Sequence, residues 1–110
     1  MEIEYDLAGG VWARAVGLLG RSGLPAGRAL YIPRCGCVHT FGMRFALDLV
    51  FVRADGTVDA VRRGVRPWRI AWGTRRSAAV YELAAGVLPP DTPCPGETLA
   101  WTRRGGSGRP

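Results

Sequence analysis

The chain has 110 residues, 15 basic and 9 acidic side chains, and a formal charge of +6. Every basic residue is arginine, and there is no lysine, asparagine or glutamine. These absences exclude Schiff-base lysine chemistry, a phosphate loop ending in Gly-Lys-Ser/Thr, and any oxyanion hole or base contact built on a side-chain amide. A single histidine leaves little material for a Ser-His-Asp triad. An apolar share of 47% and a charged share of 22% are those of a folded domain rather than a disordered chain. A chain of this length suffices for one domain that buries about two-thirds of its unfolded surface. No apolar run reaches the roughly 18 residues needed to cross a membrane. The acidic start Met1-Glu2-Ile3-Glu4 lacks the basic stretch of a secretion signal, so the expected location is cytoplasmic. There the odd set of Cys35, Cys37 and Cys94 should be reduced.

In chain order, residues 1–8 read as a short strand. Residues 10–20 are the helix candidate, with Val11, Ala15, Leu18 and Leu19 on one face and Gly20 as a stop. Residues 22–28 are a Gly/Pro/Ser loop. Ala29–Ile32 is an apolar strand stopped by Pro33. Cys37–Phe45 reads as extended, and Leu47–Val52 as a buried strand. Asp55-Gly56 marks a hairpin turn, with Val58–Arg63 returning. Residues 64–74 read as a loop, Ala78–Leu83 as a strand, residues 86–96 as a proline-rich loop, and Thr98–Thr102 as a last strand. The expected fold is mainly β (α+β by count): a small single-domain barrel or sandwich with one short N-terminal helix over residues 1–102. A disordered, basic, Gly-rich tail is expected over 103–110.

Four ordered segments carry a resemblance. They are Arg14–Arg21, His39–Phe51, the Asp55-Gly56 turn and Tyr81–Gly86, within a match running from Trp12 to Trp101. With Leu19 where a methionine is usual, the set resembles the uncharacterised prokaryotic, largely bacterial family catalogued as domain of unknown function 192. The resemblance implies a compact, mostly β fold and brings no established activity or catalytic residue.

Four constellations could carry chemistry. Cys35, Cys37 and His39 fall on one face if the segment is a strand, and Phe41 and Met43 continue that face. Two thiolates and an imidazole suit Zn²⁺ or Cu(I), with Met43 or Cys94 as a further ligand. Same-face strand neighbours lie about 6.5–7 Å apart, however, which is long for one ion, so two thiols and a locally bonded histidine are the plainer reading. The same segment read as a Cys–His nucleophile pair needs Asp48 to orient the ring. Arg21, Arg44, Asp48 and Glu82 form the third set: carboxylates inside apolar strands call for partners, and arginine is the natural one. The expectation is that Arg21 or Arg44 pairs with Asp48 or Glu82. The fourth set is Arg62, Arg63, Arg66, Trp68, Arg69, Trp72, Arg75 and Arg76, the composition of a nucleic-acid or polyanion surface. Against that stands a plain solvated face, since arginine must fill every cationic position here.

The favoured function is a non-enzymatic binding or accessory module with no cofactor, serving an unidentified small ligand or protein partner. Its small polar pocket is placed near residues 34–48 and drawn from Arg34, His39, Thr40, Arg44 and Asp48. The alternatives are a soft-metal or Cys/His-dependent enzyme at Cys35, Cys37 and His39, and a polyanion binder through residues 62–76.

Overall fold

The apolar runs become strands, and the Gly and Pro clusters between them become turns. β1 spans Glu2–Leu7, β2 Arg28–Pro33, β3 Cys37–His39, β4 Leu47–Val52, β5 Val58–Val65, β6 Ile70–Trp72, β7 Ala79–Ala84 and β8 Ala100–Arg103. The structure, a computed structural model, describes residues 2–7, 28–41, 43, 45–91 and 93–103. The helix expected over 10–20 lies outside the described residues, as does the tail expected over 103–110 except for Arg103, which ends β8 instead.

Six strands form one sheet in the order β5-β4-β7-β2-β1-β8, and β3 and β6 form a second, antiparallel pair. β1 runs parallel to both β2 and β8, and the remaining neighbours are antiparallel. β5 and β8 do not pair with each other, so the large sheet stays open. Of the barrel and sandwich expected, the architecture is therefore sandwich-like and not a closed barrel.

β4 sits near the centre of this sheet, and all six of its residues are buried. Its odd-numbered residues Leu47, Leu49 and Phe51 pack with Leu30 and Val80 against Val38 of β3 and Ala71 of β6. The two-stranded sheet thus covers this face. Val50 and Val52 point the other way and pack with Ile3, Ala29, Val58, Tyr81 and Leu83. Burying side chains such as Phe51, Leu49 and Leu83 completely contributes about 1.5–3 kcal/mol each. Tyr81 also lies flat on Trp101, with ring centroids 3.6 Å apart, which fastens β8 to the sheet.

The Asp55-Gly56 turn forms as expected: Arg53 N–H donates to the Thr57 carbonyl at 2.8 Å, and Gly56 takes a φ of 92°. Two expectations change, and one strand is irregular. The extended stretch ends at His39, because the Thr40 carbonyl turns back to accept the Met43 N–H. A strand, β6, forms inside the expected 64–74 loop. β5 also departs from simple alternation, burying Val58, Asp59 and Ala60 in succession.

The cause is two bulges. Leu47 and Leu49 face Val65 and Arg62, and Phe51 and Val52 face Ala60 and Val58, so β5 carries one extra residue at each place. An aspartate answers each bulge. Asp48 accepts the N–H of Gly64, which has a φ of 62°, at 2.8 Å, and that of Gly86 at 3.1 Å. Asp59, the extra residue of the second bulge, takes the Arg53 guanidinium at 3.0 Å, the Ser77 hydroxyl at 2.6 Å and the Thr74 hydroxyl. Burial pushes the Asp59 pKa up, and the bonds from Ser77, Thr74 and Arg53 more than offset it, leaving it at about 2.

The 74–77 turn held by Asp59 brings Ser77 against Gly73. A methyl group at Gly73 would lie 2.7 Å from Ser77 Cβ and 2.9 Å from Phe51 Cδ1, with little room to yield. We expect Gly73→Ala to lower the unfolding free energy by about 1–3 kcal/mol in urea titration, the usual range for overpacking.

Candidate functional site

Thr40 assembles the most distinctive surface. It is fully buried at the end of β3, facing the 66–69 segment. Its hydroxyl donates to the Arg66 carbonyl at 2.7 Å and accepts the Arg69 N–H at 2.9 Å. Its own N–H donates to the Arg69 carbonyl at 2.8 Å, and its carbonyl accepts the Trp68 N–H at 2.9 Å. These bonds hold Trp68 at a φ of 64° with 64% of its surface exposed. A left-handed backbone costs a non-glycine residue about 1–2 kcal/mol, so this geometry persists because its surroundings impose it.

The outer face of the β3–β6 pair continues the surface. Cys37 lies opposite Trp72 and His39 opposite Ile70, all four exposed, while Val38 and Ala71 point inward. The His39 ring lies 4.9 Å from Phe41, and Phe41 stacks on Trp68 at 5.7 Å and 24°. Exposed apolar area of this kind, contiguous rather than scattered, marks interaction surfaces.

Beside it runs a groove of about 660 Å³ between β5 and β6, whose polar lining includes Arg62, Arg63, Arg66, Arg69 and Trp72. Three guanidiniums are anchored on backbone carbonyls: Arg62 on Trp72 at 3.0 Å, Arg63 on Pro89 at 2.9 Å and Arg69 on Trp68 at 3.3 Å. Arg75 and Arg76 are separate. They line a smaller depression of about 340 Å³ with Arg53, Asp59 and Thr74. The basic stretch of the sequence is thus divided between two places.

The polar pocket expected from Arg34, His39, Thr40, Arg44 and Asp48 does not converge among the described residues. Thr40 and Asp48 spend their polar atoms on the backbone, and Asp48 belongs to the face of β4 that carries Val50. Arg34 is exposed at a bend with a φ of 54°, and Arg44 lies outside the described residues. Near here there is instead a cavity of about 250 Å³, lined by Ile32, Cys35, Cys37, Val38 and His39 and therefore largely apolar.

The bend at Arg34 also breaks the common face expected for Cys35, Cys37 and His39. Cys37 and His39 point outward, whereas Cys35 packs against the core and its thiol donates to the Cys37 carbonyl at 2.8 Å. No group of three His, Cys, Asp or Glu side chains among the described residues is arranged to hold a metal ion. Burial pushes the Cys35 thiol pKa up, opposite to what an activated nucleophile needs. Asp48, bonded to Gly64 and Gly86, does not orient His39.

Asp48 and Glu82 have no arginine partner among the described residues, and Arg21 and Arg44 lie outside them. Glu82 stands between Leu30 and Leu49 in the sheet, 2% exposed, and burial pushes its pKa up to about 7. Ile70 carried no signal in the sequence, and Phe41 stood out only as a continuation of the Cys35–His39 face. Strands of three residues are too short to show which side chains face outward.

The sequence matches the family model DUF192, described as "Uncharacterized ACR", over residues 1–101. No curated protein matches it. Among solved structures it is similar to a Sinorhizobium meliloti protein described as a "putative transcription regulator". The identity is 24% and the TM-score 0.68, with 84% of this chain and 76% of that one covered. It is also similar to a Novosphingobium aromaticivorans protein of unknown function, at 19% identity and a TM-score of 0.58. That likeness covers 78% of this chain and 64% of the other, so the chain spans less than two-thirds of that protein's length. These likenesses show the fold.

Two outcomes follow from the site chemistry. The folded Glu82 keeps its proton up to about pH 7, whereas the unfolded one loses it near 4.5. Its contribution to stability is therefore complete below pH 4.5 and is lost as pH rises through 7, a change of about 3 kcal/mol. Unfolding free energies measured from pH 4 to 8 should show this decline, and Glu82→Gln should flatten it. Thr40→Val should lower stability by about 1–3 kcal/mol in urea titration, because it leaves the Arg66 carbonyl and Arg69 N–H without their partner.

Proposed function

Because the chain belongs to the DUF192 family, which brings an uncharacterised fold and no activity, we propose a function from the site itself: a non-enzymatic binding module. Its recognition surface is the β3–β6 face with the arginine groove alongside, and its ligand is anionic. The observation that carries this reading is Trp68, held exposed in a left-handed conformation by Thr40. A fold that served only to bury its apolar groups would not maintain an exposed indole against backbone strain. The anchored guanidiniums of Arg62 and Arg69 supply ordered positive charge next to it.

The site's other groups support binding rather than catalysis. The Cys35 thiol is engaged with the backbone and its pKa is raised, and both oxygens of Asp48 serve loop amides. The description of the Sinorhizobium meliloti protein as a "putative transcription regulator" is in keeping with a polyanionic partner, although the likeness itself is one of fold.

Heparin chromatography tests this reading. The parent chain should be retained and elute at higher salt than a variant with Arg62, Arg66 and Arg69 changed to Ser. A variant changed at Arg75 and Arg76 should elute closer to the parent. Equal elution of the parent and the groove variant would refute the assignment.

A further inference from the structure

We infer that the anionic ligand of this face is a single-stranded nucleic acid, an inference that rests on the binding-module reading above. Arginine charge alone would serve any polyanion. The rings narrow the choice, because an exposed indole is covered most fully by a ligand that carries flat groups of its own. Trp68 and Trp72 are 64% and 60% exposed, and the Phe41 ring backs Trp68. Thr40 fixes Trp68 before any ligand arrives, so little ordering remains to be done on binding. Stacking of this kind tolerates any base, since every base has a π-face.

The groove lies where a backbone would run. Arg62, Arg63, Arg66 and Arg69 line it, and residues 62–76 contain no acid. Phosphates tracked along β5 would leave bases free to turn toward the β3–β6 rings. The other polyanions match only half of this surface. Duplex DNA keeps its bases stacked on each other, and the puckered, sulfated rings of a glycan cover an indole less completely than a base does. A bilayer would meet the exposed Trp and Ile side chains but would leave the open, arginine-lined groove beside them without an extended partner.

The test uses the full chain and a fluorescein-labelled oligothymidylate of about 12 nucleotides, within the site sizes of such grooves. Binding is read by anisotropy across a salt series. Competitors are a duplex of equal length and phosphatidylserine vesicles. The variants are Trp72→Ala and Trp68→Gly, glycine being chosen because it accepts the left-handed backbone and so keeps the loop intact.

The expected result is preferential binding of the single strand, weakened about tenfold by either variant. Single-strand affinity unmoved by both variants, or duplex or vesicle binding as tight as that of the single strand, would overturn the inference while leaving retention on heparin, and with it the broader reading, standing. Failure to bind either heparin or the oligonucleotide would overturn both.

Discussion

The bonds between Thr40 and the 66–69 segment are the constraint on which the rest of the surface depends. A single buried residue supplies a hydroxyl, an N–H and a carbonyl to three residues of a distant loop. Without them, the chain leaving β5 has no fixed path to β6. With them, Phe41, Trp68, Ile70 and Trp72 share one exposed face, and Val38 and Ala71 close over the core. Packing beneath the small sheet and presentation above it are thus two results of the same hydrogen bonds. The Thr40 side chain is itself wholly buried, so its hydroxyl is committed to the Arg66 carbonyl and the Arg69 N–H rather than to water.

The buried acids show how differently one fold can treat the same functional group. Asp48 and Asp59 stand at the two bulges of β5: Asp48 takes the N–H of Gly64 at the first, and Asp59 takes a guanidinium and two hydroxyls at the second. Glu82 stands in an unbroken ladder between two leucines, and burial keeps its proton on through mild acid. Each aspartate ties a loop to the sheet. Glu82 instead makes the core sensitive to pH near neutrality.

Much of the sheet could be read from the sequence because its strands are apolar runs bounded by strong turn signals. β4, β7 and the Asp55-Gly56 hairpin are of this kind. The bulges could not be read, since nothing in Val58-Asp59-Ala60 announces an extra residue, and with them went the alternation in β5 and the true partners of Asp48. β6 was hidden for another reason: three residues between arginines carry no period. The common face expected for Cys35, Cys37 and His39 failed on a backbone detail, the left-handed bend at Arg34 before the inward-packed Cys35. The arginine and tryptophan composition of residues 62–76 was plain in the sequence. Its division between a groove and a separate depression was not, because that depends on the turn Asp59 holds.

The bulges in β5 have one more consequence. An outermost strand exposes unpaired N–H and C=O groups, and a flat one is an invitation for another chain to add itself. Here the outermost strand is broken twice, so its free groups no longer fall on the regular spacing that an incoming strand requires. Irregularities that first look like defects in the ladder leave this border of the sheet a poor template for growth by copies of the same chain.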